Sequence, residues 1–134
     1  MDNNCIFCKI VKGEIPCAKV YEDENFFAFL DINPLNHGHT LLIPKKHLEW
    51  VDDYEPFSEY WETARKLSKV IKKALNPVVV SYLVYGLGVP HAHIHLIPKF
   101  EGDQHPNGPN PEKTTKYKEG EKEETAKKII AAIQ

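Results

Sequence analysis

The chain predicts an α+β fold, an antiparallel sheet of about five strands with one long amphipathic helix, a short N-terminal helix and a C-terminal helix. Three observations predict it. Apolar residues from Phe57 to Leu75 recur at three- and four-residue steps, which lines them along one face of a helix. Short runs of β-branched and aromatic residues, bounded by turn formers, stand on both sides of that helix. Finally, His91-Ala92-His93-Ile94-His95-Leu96 alternates histidine with apolar residues, a period of two that belongs to a strand.

Taken in order, Cys5 to Lys12 is apolar at Ile6, Ile10 and Val11 and ends before Gly13, which reads as a short helix opening on Cys-x-x-Cys. Lys19–Glu22 and Phe26–Asp31 form a hairpin across Asp23-Glu24-Asn25, and the second strand ends on an acid. Asn33 to Gly38 is loop, and His39–Pro44 returns as a third strand closed by proline, with His47 in its exit loop. The long helix stops at Asn76-Pro77, and its outer face of Glu59, Glu62, Arg65, Lys66, Lys69, Lys72 and Lys73 reads as a solvated surface. Val78–Tyr85 is a fourth strand, Gly86–Pro90 a turn, and His91–Pro98 the fifth. Residues 101–121 mix prolines and glycines with charges and read as a flexible excursion. Residues 122–134 end the chain as a helix striped by Ala126, Ile129, Ile130 and Ile133. The whole reads as one domain over residues 1–134, with its core in about 5–100.

Composition narrows the partners. With 17 basic and 19 acidic side chains the net charge is -2, so no overall basic field is available to hold a long nucleic acid. No run of about 18 apolar residues occurs and no basic-then-apolar leader opens the sequence, so neither a membrane nor secretion is expected. Three cysteines, an odd number, fit reduced thiols or a metal better than a disulfide framework, which points to a cytoplasmic location.

The histidine row carries the chemistry. On one strand face His91 and His95 stand about 13 Å apart, too far to share an ion through bonds of about 2.0–2.1 Å. The three imidazoles must therefore divide their work among binding, reacting and orienting a ligand. The row resembles the His-φ-His-φ-His-φ-φ signature of the histidine triad (HIT) family of nucleotide hydrolases and transferases. Cys5-Ile-Phe-Cys8-Lys-Ile, Phe29-Leu-Asp31-Ile32-Asn-Pro34 and Gly38-His39-Thr-Leu-Leu-Ile-Pro44-Lys45-Lys-His47 resemble the family's other blocks in the same order.

What that resemblance implies is specific. His93, the middle histidine, attacks the α-phosphorus of a purine nucleotide conjugate, and water then hydrolyses the nucleotidyl-histidine to release a nucleoside monophosphate. His95 donates to a phosphate oxygen or to the leaving group. Asp31 takes the ribose hydroxyls, Ile32 and Phe27 flank the base, and His39 lies near the reactive histidine. Cys5, Cys8, His47 and His91 hold a structural zinc, and two subunits pair as a homodimer.

Departures from the family pattern set the alternatives. Leu87 and Gly88 stand where Gln and Ser/Thr are usual, and Val80-Ser81 replaces the usual Asn. Backbone N–H groups near Gly86 and Gly88 would then help His93 and His95 hold the phosphate. The substrate is a nucleoside 5′-phosphoramidate or a related conjugate. Alternatives are a dinucleoside polyphosphate, a nucleotide-binding regulatory module with little catalysis, and metal-dependent hydrolysis at a His-x-His site with a third ligand nearby.

Overall fold

A computed structural model of the chain describes residues 4–133; the expected helix end at Gln134, and Met1 to Asn3 of the start, lie outside them. The elements are α1 (Ile6–Val11), β1 (Lys19–Glu22), β2 (Phe26–Leu30), β3 (Thr40–Pro44), α2 (Phe57–Leu75), β4 (Val79–Leu83), β5 (Ile94–Lys99) and α3 (Glu121–Ala131). The five strands form one sheet in the order β1-β2-β3-β5-β4, antiparallel at every pairing.

Strand alternation explains the layers. Phe26, Ala28 and Leu30 of β2, Leu42 of β3, and Ile94 and Leu96 of β5 join one buried cluster with Tyr60, Ala64, Leu67 and Ile71 of α2. Phe27, Phe29, Leu41 and Ile43 point the other way and are covered by Phe7, Cys8 and Ile10 of α1. Both faces of β2 and β3 are therefore buried, which is why these strands read as continuous apolar runs. Tyr60 ties the layers together: its hydroxyl donates to the carbonyl of Leu42 at 2.8 Å, which satisfies the one polar atom of a fully buried ring.

The ends of the helices follow their sequences. Asn76 adopts a left-handed φ of 53° and closes α2 through its N–H to Lys72. Glu121, Glu123 and Glu124 crowd the first turn of α3, where the helix dipole favours them. Ala126 and Ile129 pack into the main core, but Ile130 is 47 % exposed, so it leaves the expected stripe.

Strand ends move: β2 stops at Leu30, β3 starts at Thr40 and β4 spans only Val79–Leu83. The histidine strand begins at Ile94, because Ala92 donates its N–H to Leu48, outside the sheet, and His91 turns back to Val89. Its facing nevertheless holds: Ala92, Ile94 and Leu96 enter the helical core while the rings of His91 and His93 lie on Phe7 of the opposite layer. Residues 101–121, read above as flexible, are pinned to the loop before β3. Asp103 accepts from Asn36, Thr115 donates to Pro34, and Tyr117 accepts from Gly38 and stacks on His37.

Candidate functional site

The end of β2, the start of β3, the approach to β5 and α1 meet around two cavities that share Asp31 and His95. The larger, about 360 Å³, has an apolar floor of Phe7, Ile10, Phe29 and Leu41 and a rim of Ile6, Ile32, Leu87, Gly88 and Val89. Its polar edge is Asp31, His93 and His95. An apolar cavity with a polar edge is suited to a base continued by a sugar phosphate.

The tautomers of His93, His39 and His95 can be read from their partners. Nδ1 of His93 lies 2.7 Å from the carbonyl oxygen of His91, which only accepts, so Nδ1 carries the proton and Nε2 keeps its lone pair. The ring is 6 % exposed and packs edge-on against Phe7, which fixes its aim. The backbone N–H of Leu35 donates to Nδ1 of His39 at 3.1 Å, so His39 carries its proton on Nε2. That Nε2 is 2.9 Å from Nδ1 of His95 and donates to it, which leaves the proton of His95 on Nε2. A chain of three groups thus presets His95 as a donor beside the lone pair of His93. The carboxylate of Asp31 is 3.7 Å from Nε2 of His39, too far to compete for that proton.

Burial enforces the neutral forms. It pushes His39 down to about 4, helped by His105, and His95 down to about 4, helped by His39 and His93 and opposed by Asp31. Asp31 is pushed up by burial, against the pull of the Asn33 N–H that donates to it at 2.9 Å.

The first histidine of the row belongs to a different cluster. Nδ1 of His91 lies 3.2 Å from Sγ of Cys5, 3.5 Å from Sγ of Cys8 and 3.3 Å from Nδ1 of His47. Sγ of Cys8 is 3.3 Å from Nδ1 of His47. Four ligands on a tetrahedral ion with bonds of about 2.0–2.3 Å would stand about 3.3 to 3.6 Å apart for such N···N and N···S pairs, so this donor set fits zinc. The other nitrogen of His91 donates to the carbonyl of Pro44 at 2.9 Å, which turns the lone pair of Nδ1 toward the sulfurs. Asp31, His39 and His95 also lie close enough to be considered as ligands. There the 2.9 Å between His39 and His95 is the length of a direct hydrogen bond and leaves no room for an ion between them.

The sequence-predicted residues divide accordingly. Asp31, Ile32, Gly88, His93 and His95 line the larger cavity, and His39 lines the smaller one. Phe27 does not line it: it shares a sheet face with Phe29 but sits two residues back along β2, opposite Ile43, and Phe29, opposite Leu41, takes the place expected of it. Gly86 turns away, with Trp50 so close that an added Cβ would meet its ring at 3.1 Å. Leu83, not Val80 or Ser81, stands opposite His95 across the β4–β5 pairing, so an apolar side chain faces the site there. Phe7 and Ile10 were not singled out, although helical spacing in the Cys-x-x-Cys segment puts both beneath the cavity. His105, also not singled out, lies 3 % exposed behind Leu35, and nothing in its local sequence marks it.

Comparison with known proteins adds the family. The HIT domain matches residues 12–102. An uncharacterized HIT-like protein of Methanocaldococcus jannaschii is 48% identical over 105 residues, 74% of this chain and 81% of its own length. An adenosine 5′-monophosphoramidase of Schizosaccharomyces pombe is 42% identical over 72% of this chain and 74% of its own. An adenylylsulfatase of Arabidopsis thaliana is 39% identical over 77% of this chain and 56% of its own. Among solved structures, a histidine triad nucleotide-binding protein of Sulfolobus tokodaii superposes with a TM-score of 0.83 at 33% identity, over 96% of this chain and 91% of its own. A zinc-bound histidine triad protein of Mycobacterium smegmatis gives 0.78 at 30%, over 97% and 93%. The chain belongs to the HIT domain family.

Proposed function

We propose that this HIT protein is a hydrolase of nucleoside 5′-phosphoramidates or related nucleotide conjugates, with His93 as the covalent nucleophile. The observation that carries this reading is the bond from Nδ1 of His93 to the His91 carbonyl, which supplies an imidazole with its lone pair on Nε2 at the edge of the base-sized cavity. Nε2 of His93 attacks the α-phosphorus, and the bond to the leaving nitrogen breaks with its electron pair on that nitrogen. The amine departs with a proton taken from solvent. Water then attacks the phosphorus, gives up a proton, and returns the lone pair to His93 as the nucleoside monophosphate leaves. His95 donates from Nε2 to a phosphoryl oxygen through both steps, and Asp31 accepts from the ribose hydroxyls. Ile32 and Phe29 flank the base.

The resemblance to enzymes named as a phosphoramidase and an adenylylsulfatase supports a nucleotide hydrolase. Cys5, Cys8, His47 and His91 would hold one zinc, whose role is to pin α1 to the approach of β5 and so seat Phe7 under His93. Metal thiolates persist in a reducing compartment, which supports a cytoplasmic location. Among the described residues no helix is long and apolar enough to cross a membrane. A homodimer is supported by the edge position of β4, where Val79 and Tyr82 of the strand and Val84 and Tyr85 beyond it are exposed, with Phe57 of α2 linked to Tyr82 through Trp61. The test is direct: adenosine 5′-phosphoramidate incubated with purified protein should yield AMP and ammonia in equal amounts. Absence of AMP at enzyme concentrations near those of substrate would reject the reading.

A further inference from the structure

His105 is a buried titratable group that the attack by His93 leaves unused. It lies in the tail, beyond the family match that ends at residue 102, and is 3 % exposed. Both of its ring nitrogens are committed. The N–H of Asn110 donates to Nδ1 at 3.0 Å, so that nitrogen accepts and the proton sits on Nε2, which donates to the carbonyl of Leu35 at 3.0 Å. One peptide earlier, the N–H of Thr115 donates to the carbonyl of Pro34 at 2.8 Å. The Pro34 carbonyl and the Leu35 N–H belong to the same planar amide, and that N–H is the group that donates to Nδ1 of His39. The tail thus holds the carbonyls of two consecutive peptides, and together these bonds fix the plane of the amide that faces His39. The bond on the Pro34 carbonyl also polarises this amide and strengthens its N–H as a donor.

The orientation of this amide decides where two protons lie. With its N–H toward His39, Nδ1 of His39 accepts, Nε2 donates to Nδ1 of His95, and His95 keeps its proton on Nε2. A flipped amide would turn the Pro34 carbonyl toward Nδ1 of His39, which would then need the proton. Nε2 of His39 would become an acceptor, and His95 would present a bare Nε2 to the substrate. We propose that His105 is a positioning residue for the hydrolysis: with the Thr115 N–H it locks the Leu35 backbone so that an N–H faces His39, and it thereby keeps the proton of His95 on Nε2. The inference rests on the donor role of His95 proposed above. His105 acts only through others, since one residue of backbone and the ring of His39 stand between it and His95.

The test reads protons and rate separately. In long-range proton–nitrogen NMR spectra of wild type, His39, His95 and His105 should each appear as the Nε2–H tautomer. In His105→Leu the rings of His39 and His95 should show mixed tautomers. There kcat for adenosine 5′-phosphoramidate should fall about tenfold with KM within about twofold of wild type, the order for losing the partner that orients a functional histidine. His105→Gln, whose amide N–H can still reach the Leu35 carbonyl, should restore kcat to within about threefold of wild type. Tyr117→Phe loosens the tail elsewhere, by removing the acceptor of the Gly38 N–H, and should change neither kcat nor the tautomers. Wild-type tautomers and kcat in His105→Leu, or a loss of kcat matched by Tyr117→Phe, overturn the proposal, as does a wild-type His105 protonated on Nδ1. Should His105→Leu not fold, Thr115→Pro, which deletes the N–H on the Pro34 carbonyl, is read in the same way. An inactive wild type overturns the hydrolase reading instead, and the spectra alone then decide the positioning: unchanged tautomers in the variant overturn it.

Discussion

Two clusters at the ends of the same histidine row are built from similar side chains and do opposite things. Around His91 the donor atoms stand 3.2 to 3.5 Å apart, with two sulfurs among them, and the ring's second nitrogen is held by a carbonyl. Around His95 the corresponding separations are 3.1 and 2.9 Å, in a line from the Leu35 N–H through His39. The first spacing is that of ligands around an ion; the second is that of protons passed between nitrogens. Between them His93 is fixed by a backbone carbonyl and packs edge-on against His95. On the function proposed above, a few tenths of an ångström, together with what each ring's other nitrogen meets, would decide whether an imidazole is a ligand, a nucleophile or a donor.

The comparison can be broken at each histidine, and the largest effect belongs to the middle one. His93→Ala should lower turnover of adenosine 5′-phosphoramidate by about 10⁴-fold or more, since no other group can form the adduct. Nucleotide binding, followed by calorimetry, should persist because the slot of Phe7, Ile10, Phe29 and Leu41 remains. At the first histidine, His91→Ala or Cys5→Ser should reduce zinc from about one per chain to a small fraction by elemental analysis, because three ligands do not close a structural site. Thermal stability should fall with it, since α1 loses its tie to β5.

At the third position the effect is smaller and more informative. His39→Ala should lower kcat about 10²-fold with KM little changed, because His95 is then free to hold its proton on the wrong nitrogen. His39→Gln, which keeps a donor toward Nδ1 of His95, should recover part of that loss; equal kcat for the two variants would remove His39 from the chain of donors. The smallest effect is on stability against pH. His39 binds a proton at about 6.5 when unfolded and at about 4 when folded, so its neutral form stabilises the fold fully above pH 6.5. That contribution is lost as pH falls from about 6.5 to about 4. The stability difference between wild type and His39→Gln, in urea titrations, should be level above pH 6.5 and shift against wild type below it. A pH-independent difference would mean that His39 is not held neutral.

Much of this was legible in the sequence because period and spacing are local properties. Alternation placed His93 and His95 away from the Ile94 and Leu96 core, and three- and four-residue steps marked α2 with the bounds it has, Phe57–Leu75. Cys5 and Cys8, three residues apart, lie on one turn, and Cys5 proves to be the N-cap of α1. What was not legible depends on distant contacts. Phe27 and Phe29 share one face of β2, so which of them meets the cavity depends on how far along that face α1 lies, a contact between distant segments. The carbonyl that fixes His93 belongs to the backbone, which side-chain patterns do not reveal. The tail looked loose because its prolines, glycines and charges form no periodic element. Its order comes instead from single polar residues, Asp103, His105 and Tyr117, each bonded to a loop about 67 to 79 residues away in the chain.

The central claim is that the partner of Nδ1 assigns His93 alone as the nucleophile. It is tested most directly by mixing enzyme with radiolabelled adenosine 5′-phosphoramidate, quenching in base, where phosphorus–nitrogen bonds survive, and mapping the label by peptide mass spectrometry. The account predicts one adenylyl group on the peptide containing His93, localised to that residue by fragmentation and absent in His93→Ala. Label on His95 or His39, or AMP formed at the wild-type rate with no labelled histidine at any time during turnover, would contradict it.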